Sequence, residues 1–115
     1  MERKTDIKLR CWIDVDGQKF FGPGRAVLLQ HIHEQGSISK AAKVMGMSYK
    51  KAWAMVDDMN HKGKQPYVVL HKGGTSGGGA ELTETGKAVL NAFNDLSHKL
   101  SQTLSSEQQQ LMKLI

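Results

Sequence analysis

The chain of 115 residues is long enough for one domain, predicted over residues 1–115, and its apolar content of 39% is ordinary for a globular protein. No apolar run approaches the roughly 20 residues needed to cross a bilayer, and the charged start of the chain is unlike a signal peptide. Cys11 is the only cysteine, which excludes an intramolecular disulfide and fits a reducing compartment. These features predict a soluble cytoplasmic protein.

The net charge of +5 is concentrated in the middle third of the sequence. Residues 36–72 contain seven lysines against Asp57 and Asp58, whereas the segments before and after are nearly neutral. A local basic patch favours a polyanion such as DNA as the partner. On charge alone, a lysine-rich face in contact with water is an equally good interpretation.

The first elements predicted along the chain are a β-hairpin and a helix. Apolar residues alternate over residues 7–15 with the two-residue period of a strand, and Asp16-Gly17 suits a tight turn. We therefore predict a hairpin over residues 7–21. The apolar spacing then changes to that of a helix, predicted over residues 24–36, with Gly36 at its end.

Residues 37–61 have the proportions of a helix-turn-helix, in which Ser37 and Ser48 are placed to cap the two helices. Gly46 allows the turn between them to adopt a positive φ.

The second of these helices carries the residues that would read DNA. Its apolar positions recur on one helical face, which predicts that Tyr49 and Trp53 lie on the inner side. Lys50 and Lys51 then point outward near the start of the helix, where a lysine can reach guanine O6 and N7 or a phosphate. An ordinary helical hairpin with its lysines in water is the alternative, but it does not explain the hairpin predicted next.

A second hairpin, predicted over residues 67–82, has the glycine-rich segment 73–79 as its flexible tip. A hairpin in this place is a wing, and Lys72 beside the glycines would lie close to the sugar-phosphate backbone. Thr83 is expected to cap a last helix over residues 83–104, after which the Gln-rich end is expected to fray.

Two segments together resemble the LysR-type winged helix of the molybdate-responsive ModE family of regulators. The first comprises Gly36-Ser37-Ile38-Ser39, Ala41-Ala42 and Gly46-Met47-Ser48-Tyr49-Lys50-Lys51-Ala52-Trp53; the second is the glycine-rich stretch from Gly73 to Thr83, followed by Thr85-Gly86. The likeness runs from about Ile7 to Leu104. The predicted fold class is thus α+β, mainly α: a winged helix-turn-helix with an N-terminal β-hairpin, a glycine-rich wing and a long C-terminal dimerisation helix.

The resemblance implies a homodimer that binds double-stranded DNA. The DNA contacts are expected from the starts of the two motif helices and from the wing: Ser37, Ser39, Lys40, Ser48, Tyr49, Lys50, Lys51, Lys72, Gly74, Thr75 and Ser76. The dimer contact is expected from apolar residues of the first and last helices, with Phe93 as its aromatic anchor: Leu28, Ile32, Val89, Phe93, Leu96 and Leu100.

We therefore predict a sequence-specific, ModE/LysR-like transcription regulator that acts as a homodimer without an effector domain of its own. Regulators of this family carry C-terminal oxyanion-binding domains, and their Ser-Ala-Arg-Asn segment does not occur in this sequence, so no molybdate binding is expected. No cofactor, metal site, catalytic residue or membrane partner is predicted, and the protein is expected not to be an enzyme. A winged-helix protein–protein interaction module is the alternative function.

Overall fold

A computed structural model describes residues 3–74 and 77–115. The elements in chain order are β1 (Ile13–Val15), β2 (Gln18–Phe21), α1 (Pro23–Gln35), α2 (Ile38–Met45), α3 (Tyr49–Lys62), β3 (Val68–Gly74), β4 (Gly77–Leu82) and α4 (Glu84–Leu114). β1 pairs with β2 and β3 with β4, each as a two-stranded antiparallel hairpin. The predicted α+β, mainly helical fold class is confirmed.

Short polar residues and glycines set the helix boundaries. The side-chain oxygens of Ser37, Ser48 and Thr83 each accept a hydrogen bond from the backbone N–H three residues later, at 3.2, 3.1 and 2.9 Å. These caps satisfy amides that the first helical turn leaves without an intrahelical partner. Gly36 and Gly46 end α1 and α2 with φ of +67° and +68°, the left-handed conformation that glycine adopts without strain.

The N-terminal hairpin is shorter than the sequence pattern predicts. Asp16-Gly17 forms its turn with φ of 52° and 77°, which matches the twist of the flanking strands. The first strand begins only at Ile13, opposite Phe21, rather than at Ile7. The alternation of apolar residues was therefore not sufficient for a strand, because β2 provides only four residues as a partner before α1 begins.

The segment before β1 runs along α4 instead of forming part of the sheet. Leu9 and Cys11 share one groove with Leu100 of α4. At the far end, the Arg3 guanidinium donates a hydrogen bond of 2.8 Å to the backbone carbonyl of Ile115.

The core is built around α1, which contacts α2, β2, β4 and α4. Leu28 and Ile32 of α1 have no exposed surface, and Phe93 of α4 is only 6% exposed. Phe93 packs edge-to-face against Phe21, with 5.1 Å between ring centroids. The prediction that these three residues form a dimer contact is therefore corrected, because the protein's own core encloses their side chains.

The β3–β4 hairpin extends further into the glycine-rich segment than predicted. β3 continues to Gly74 and β4 begins at Gly77, so the two strands include five of the seven residues of the expected flexible tip. Thr75 and Ser76, two of the predicted DNA contacts, lie outside the described residues. Asn60 fixes α3 to this hairpin, because its side chain bonds the backbone of Tyr67 and Val68 at 2.8–3.1 Å.

The last helix is also longer than predicted. α4 continues to Leu114, ten residues beyond the expected end, and the Gln-rich stretch is helical rather than frayed. The stretch contains no glycine or proline and is rich in good helix formers such as Gln and Leu. No helix among the described residues has the combination of length and apolar character needed to span a membrane.

Candidate nucleic-acid interface

The starts of α2 and α3 and the β3–β4 hairpin surround one shallow depression of about 240 Å³. Ser37, Ser39 and Tyr49 line it on the helical side, and Leu70 and His71 line it on the strand side. The arrangement is held by a backbone hydrogen bond of 2.9 Å from the Ala80 N–H to the Gly36 carbonyl. Three of the predicted DNA contacts are thereby brought to one place.

The helix starts at this surface have no acidic residue to balance their positive end. Neither α2 nor α3 has a carboxylate in its first turn, whereas α4 has Glu84 there. The exposed amides and the macrodipole of a helix start favour an anion. The depression therefore lies between two positions where a phosphate group would be stabilised.

Exposed lysines surround the same surface. Lys40 lies in the first turn of α2, Lys50 and Lys51 lie in the first turn of α3, and Lys72 lies on β3, all of them exposed. In the part of the chain that the structure describes, none of these four lysines forms a salt bridge. Their positive charge is therefore available to a polyanion.

The two acidic residues of the basic third lie at the opposite end of α3 and are paired. Asp58 accepts a hydrogen bond from Arg25 at 2.6 Å and lies 3.1 Å from the Lys62 ammonium. The pKa of Asp58 is lowered mainly by the Arg25 hydrogen bond, although partial burial acts to raise it. Asp57 lies 3.1 Å from the His61 ring. Neither carboxylate neutralises the start of α3.

Tyr49 and Trp53 do not lie on the inner face of α3, contrary to the sequence-based expectation. They are 54% and 43% exposed, while Ala52, Val56 and Met59 form the buried face. The small Ala52 side chain lets α3 lie close to its neighbours. The larger rings of Tyr49 and Trp53, which are next to Ala52 around the helix, therefore lie at the edge of this contact. This exposed position keeps Tyr49 among the residues expected to contact DNA.

Two further predicted contacts, Ser48 and Gly74, lie at the ends of elements: Ser48 is exposed at the start of α3, and Gly74 is the last residue of β3. Sequence reasoning missed Leu70, which lines the depression, and the exposed Trp53, which follows Tyr49 by about one helical turn. The only sequence signal was their spacing, two residues before Lys72 and four residues after Tyr49. Among the described residues, no group of three His, Cys, Asp or Glu side chains is arranged to hold a metal ion.

Comparison with curated proteins shows similarity to molybdenum-related regulators, although no family model matches the chain. The molybdenum transport protein ModE of Azotobacter vinelandii is 33% identical over 122 residues, which cover 96% of this chain and 45% of that protein. The DNA-binding transcriptional dual regulator ModE of Escherichia coli K12 is 42% identical over 81 residues, 70% of this chain and 31% of that protein. The molybdenum-pterin-binding protein MopB of Rhodobacter capsulatus is 40% identical and covers 78% of this chain and 33% of its own.

Solved structures of two bacterial proteins, LysG and ArgP, have a similar fold. LysG of Corynebacterium glutamicum matches 81% of this chain and 30% of its own with a TM-score of 0.58 and 18% identity. ArgP of Mycobacterium tuberculosis matches 75% of this chain and 30% of its own with a TM-score of 0.54 and 16% identity. At such identities the likeness concerns the fold alone.

The chain is therefore similar in sequence to proteins named ModE and MopB, and similar in fold to LysG and ArgP. The chain spans less than half the length of each of these curated relatives. The prediction that this protein is not an enzyme is confirmed by its similarity to transcriptional regulators.

Proposed function

We propose that the chain is a winged helix-turn-helix protein that binds double-stranded DNA as a homodimer and regulates transcription. The observation that supports this most is the meeting of two acid-free helix starts and a β-hairpin at one surface with unpaired lysines. In this proposal α3 is the recognition helix that enters the major groove, and the β3–β4 hairpin is the wing.

The contacts divide into two kinds. Lys50 and Lys51 at the start of α3 reach base edges, since the first residues of a recognition helix face the floor of the groove. The hydroxyls and backbone amides at the starts of both helices, together with Lys40, bind phosphates. Lys72 on the wing contacts the sugar-phosphate backbone beside the groove.

The dimer is proposed because a single helix-turn-helix reads only a half-site, and a twofold axis sets two recognition helices about 34 Å apart. With Leu28, Ile32 and Phe93 in the core, the proposed contact moves to the exposed side of α4 and to the segment beside it. Leu96 is 42% exposed and shares one groove with the half-buried Val89, whereas Leu9 is 53% exposed and shares a second groove with the half-buried Leu100.

The proposed function predicts strongly salt-dependent binding to duplex DNA. Each phosphate contact contributes a slope of about −0.9 to log K against log salt, so a dimer with four to eight contacts should show about −4 to −7. Fluorescence anisotropy with a labelled duplex at several salt concentrations measures this slope. Affinity that hardly changes between low and physiological salt would contradict the proposal, and no binding at all would favour the protein–protein interaction module.

The two kinds of lysine should respond differently to replacement by alanine. Lys50→Ala or Lys51→Ala should relax the preference at particular base pairs by roughly 1–3 kcal/mol if the contact is bidentate. Lys72→Ala should weaken specific and random duplexes about equally, because phosphates are the same in both. Competition binding with selected and random duplexes separates the two effects.

Lys64→Ala is the matched control for these variants. It removes the same charge from an exposed lysine that lies after the end of α3, beside the N-terminal hairpin rather than the depression. We expect it to change DNA affinity least of the four variants. Equal losses on specific and random DNA for Lys50, Lys51 and Lys72 would refute the division of roles.

A further inference from the structure

We infer that Tyr49, Trp53 and Leu70 form an apolar flank of the recognition surface, which recognises thymine through its C5 methyl group. The inference rests on the proposed binding of duplex DNA and assigns a source of base specificity beyond the lysines. The three side chains are 54%, 43% and 57% exposed, although aromatic and leucine side chains are usually buried.

Helical spacing shows that the apolar flank faces the wing. Tyr49 and Trp53 are four residues apart and therefore neighbours on one side of α3. Asn60 follows Tyr49 by eleven residues, close to three full turns, and lies on the same side. The Asn60 side chain bonds the backbone of Tyr67 and Val68, just before and at the start of β3.

The strand completes this surface from the other side. Leu70 lines the same depression as Tyr49, together with the Ser37 cap of α2. Tyr49 and Leu70 therefore meet at one depression, with Lys50 next to Tyr49 on α3 and Lys72 two residues after Leu70 on β3. A partner that fits must be anionic at its edges and apolar at its centre.

Duplex DNA provides both an anionic edge and an apolar group. Its phosphates are anionic, and the thymine C5 methyl is the distinctive apolar group that a base pair presents in the major groove. A protein partner could cover the same apolar side chains, but it would have no need of two acid-free helix starts and unpaired lysines around them. The combination of charge and apolar exposure therefore favours DNA, with thymine at the contacted positions.

Replacement of thymine by uracil tests this directly because it removes the methyl group and nothing else. A duplex is first selected from a random pool with the full chain, and its thymines are then exchanged for uracil one at a time. For the wild type we expect affinity to fall about fourfold at each contacted methyl, the effect of one lost methyl-sized apolar contact. Trp53→Ala should weaken binding to the thymine duplex and lose at least one of these uracil effects.

The matched control is Trp12→Ala, which removes an equally exposed tryptophan (45%) that lies over Gly22 before α1 rather than on α3. It should keep every uracil effect, and Trp53→Phe, which keeps a ring on the flank, should restore part of the effect lost in Trp53→Ala. Circular dichroism verifies that each variant is folded. If Trp53→Ala does not fold, the uracil series with wild type and Tyr49→Ser gives the same comparison.

The outcomes separate this inference from the proposed function. Failure of the wild type to bind any duplex would overturn the proposed function and the inference with it. Tight, salt-dependent binding that no uracil exchange weakens would overturn only the thymine inference. Full DNA affinity in Trp53→Ala would also overturn it.

Discussion

Gly86→Ala is expected to lower the free energy of unfolding by about 3 kcal/mol or more, at the upper end of the usual cost of overpacking. Gly86 lies buried in the first turn of α4, and a Cβ atom added there would overlap the Tyr67 carbonyl oxygen. The clash is with backbone, which cannot move aside as a flexible side chain can. Urea or thermal unfolding followed by circular dichroism measures the loss.

The same substitution should impair the proposed DNA binding, because it disturbs the contact between the β3–β4 hairpin and α4. Thr83 holds this contact with a backbone hydrogen bond of 3.0 Å to Tyr67 and a hydroxyl hydrogen bond of 2.7 Å to Pro66. Moving α4 away from Tyr67 would strain both bonds and shift the start of β3. The loss of affinity should therefore accompany the loss of stability.

Gly24→Ala is the matched control. Gly24 lies exposed in α1 without a positive φ, and a Cβ atom added to it would meet no other atom within 4 Å. Alanine there should stabilise the protein by about 0.5 kcal/mol, because glycine loses more backbone freedom on folding. Wild-type stability in Gly86→Ala would show that α4 does not pack against Tyr67 as described.

Features set by neighbouring residues could be predicted from the sequence. Ser37 and Ser48 cap their helices and Gly46 turns the chain because each effect depends on a few adjacent residues. The acid-free helix starts and the outward Lys50 could be read in the same way. The residues proposed to contact DNA were identified from such local signals.

Features set by distant parts of the chain could not be predicted. Apolar spacing places Phe93 and Leu96 on one stripe of α4, but Phe93 packs against Phe21 in the core and Leu96 is 42% exposed. Likewise, Tyr49 differs from Ala52 in burial because small side chains let α3 approach its neighbours on one side. The sequence pattern indicates which face of a helix is apolar, whereas tertiary packing decides how far burial extends around that face.

The exposed position of Leu96 leads to the second large effect: Leu96→Glu should convert the proposed dimer into a monomer. Leu96 lies on the same side of α4 as the half-buried Leu100 and Leu104, and it shares a groove with the exposed Ile13. In a twofold dimer each side chain is present twice, so one substitution acts twice. Losing about 1 kcal/mol of apolar burial in each copy weakens association at least about thirtyfold, and burying a glutamate weakens it further.

Sedimentation velocity at several concentrations, with DNA anisotropy on the same samples, measures both consequences. Because Leu96 is 42% exposed in one chain, the variant should stay folded, whereas Phe93→Ala would cost about 3–5 kcal/mol of stability and report on the core. Gln102→Glu introduces the same charge on the opposite side of α4, where its side chain is exposed, and should remain dimeric. A monomeric wild type, or a Leu96→Glu variant as dimeric as Gln102→Glu, would show that α4 is not the dimer contact. A different surface would then have to place the two proposed recognition helices in adjacent turns of the major groove.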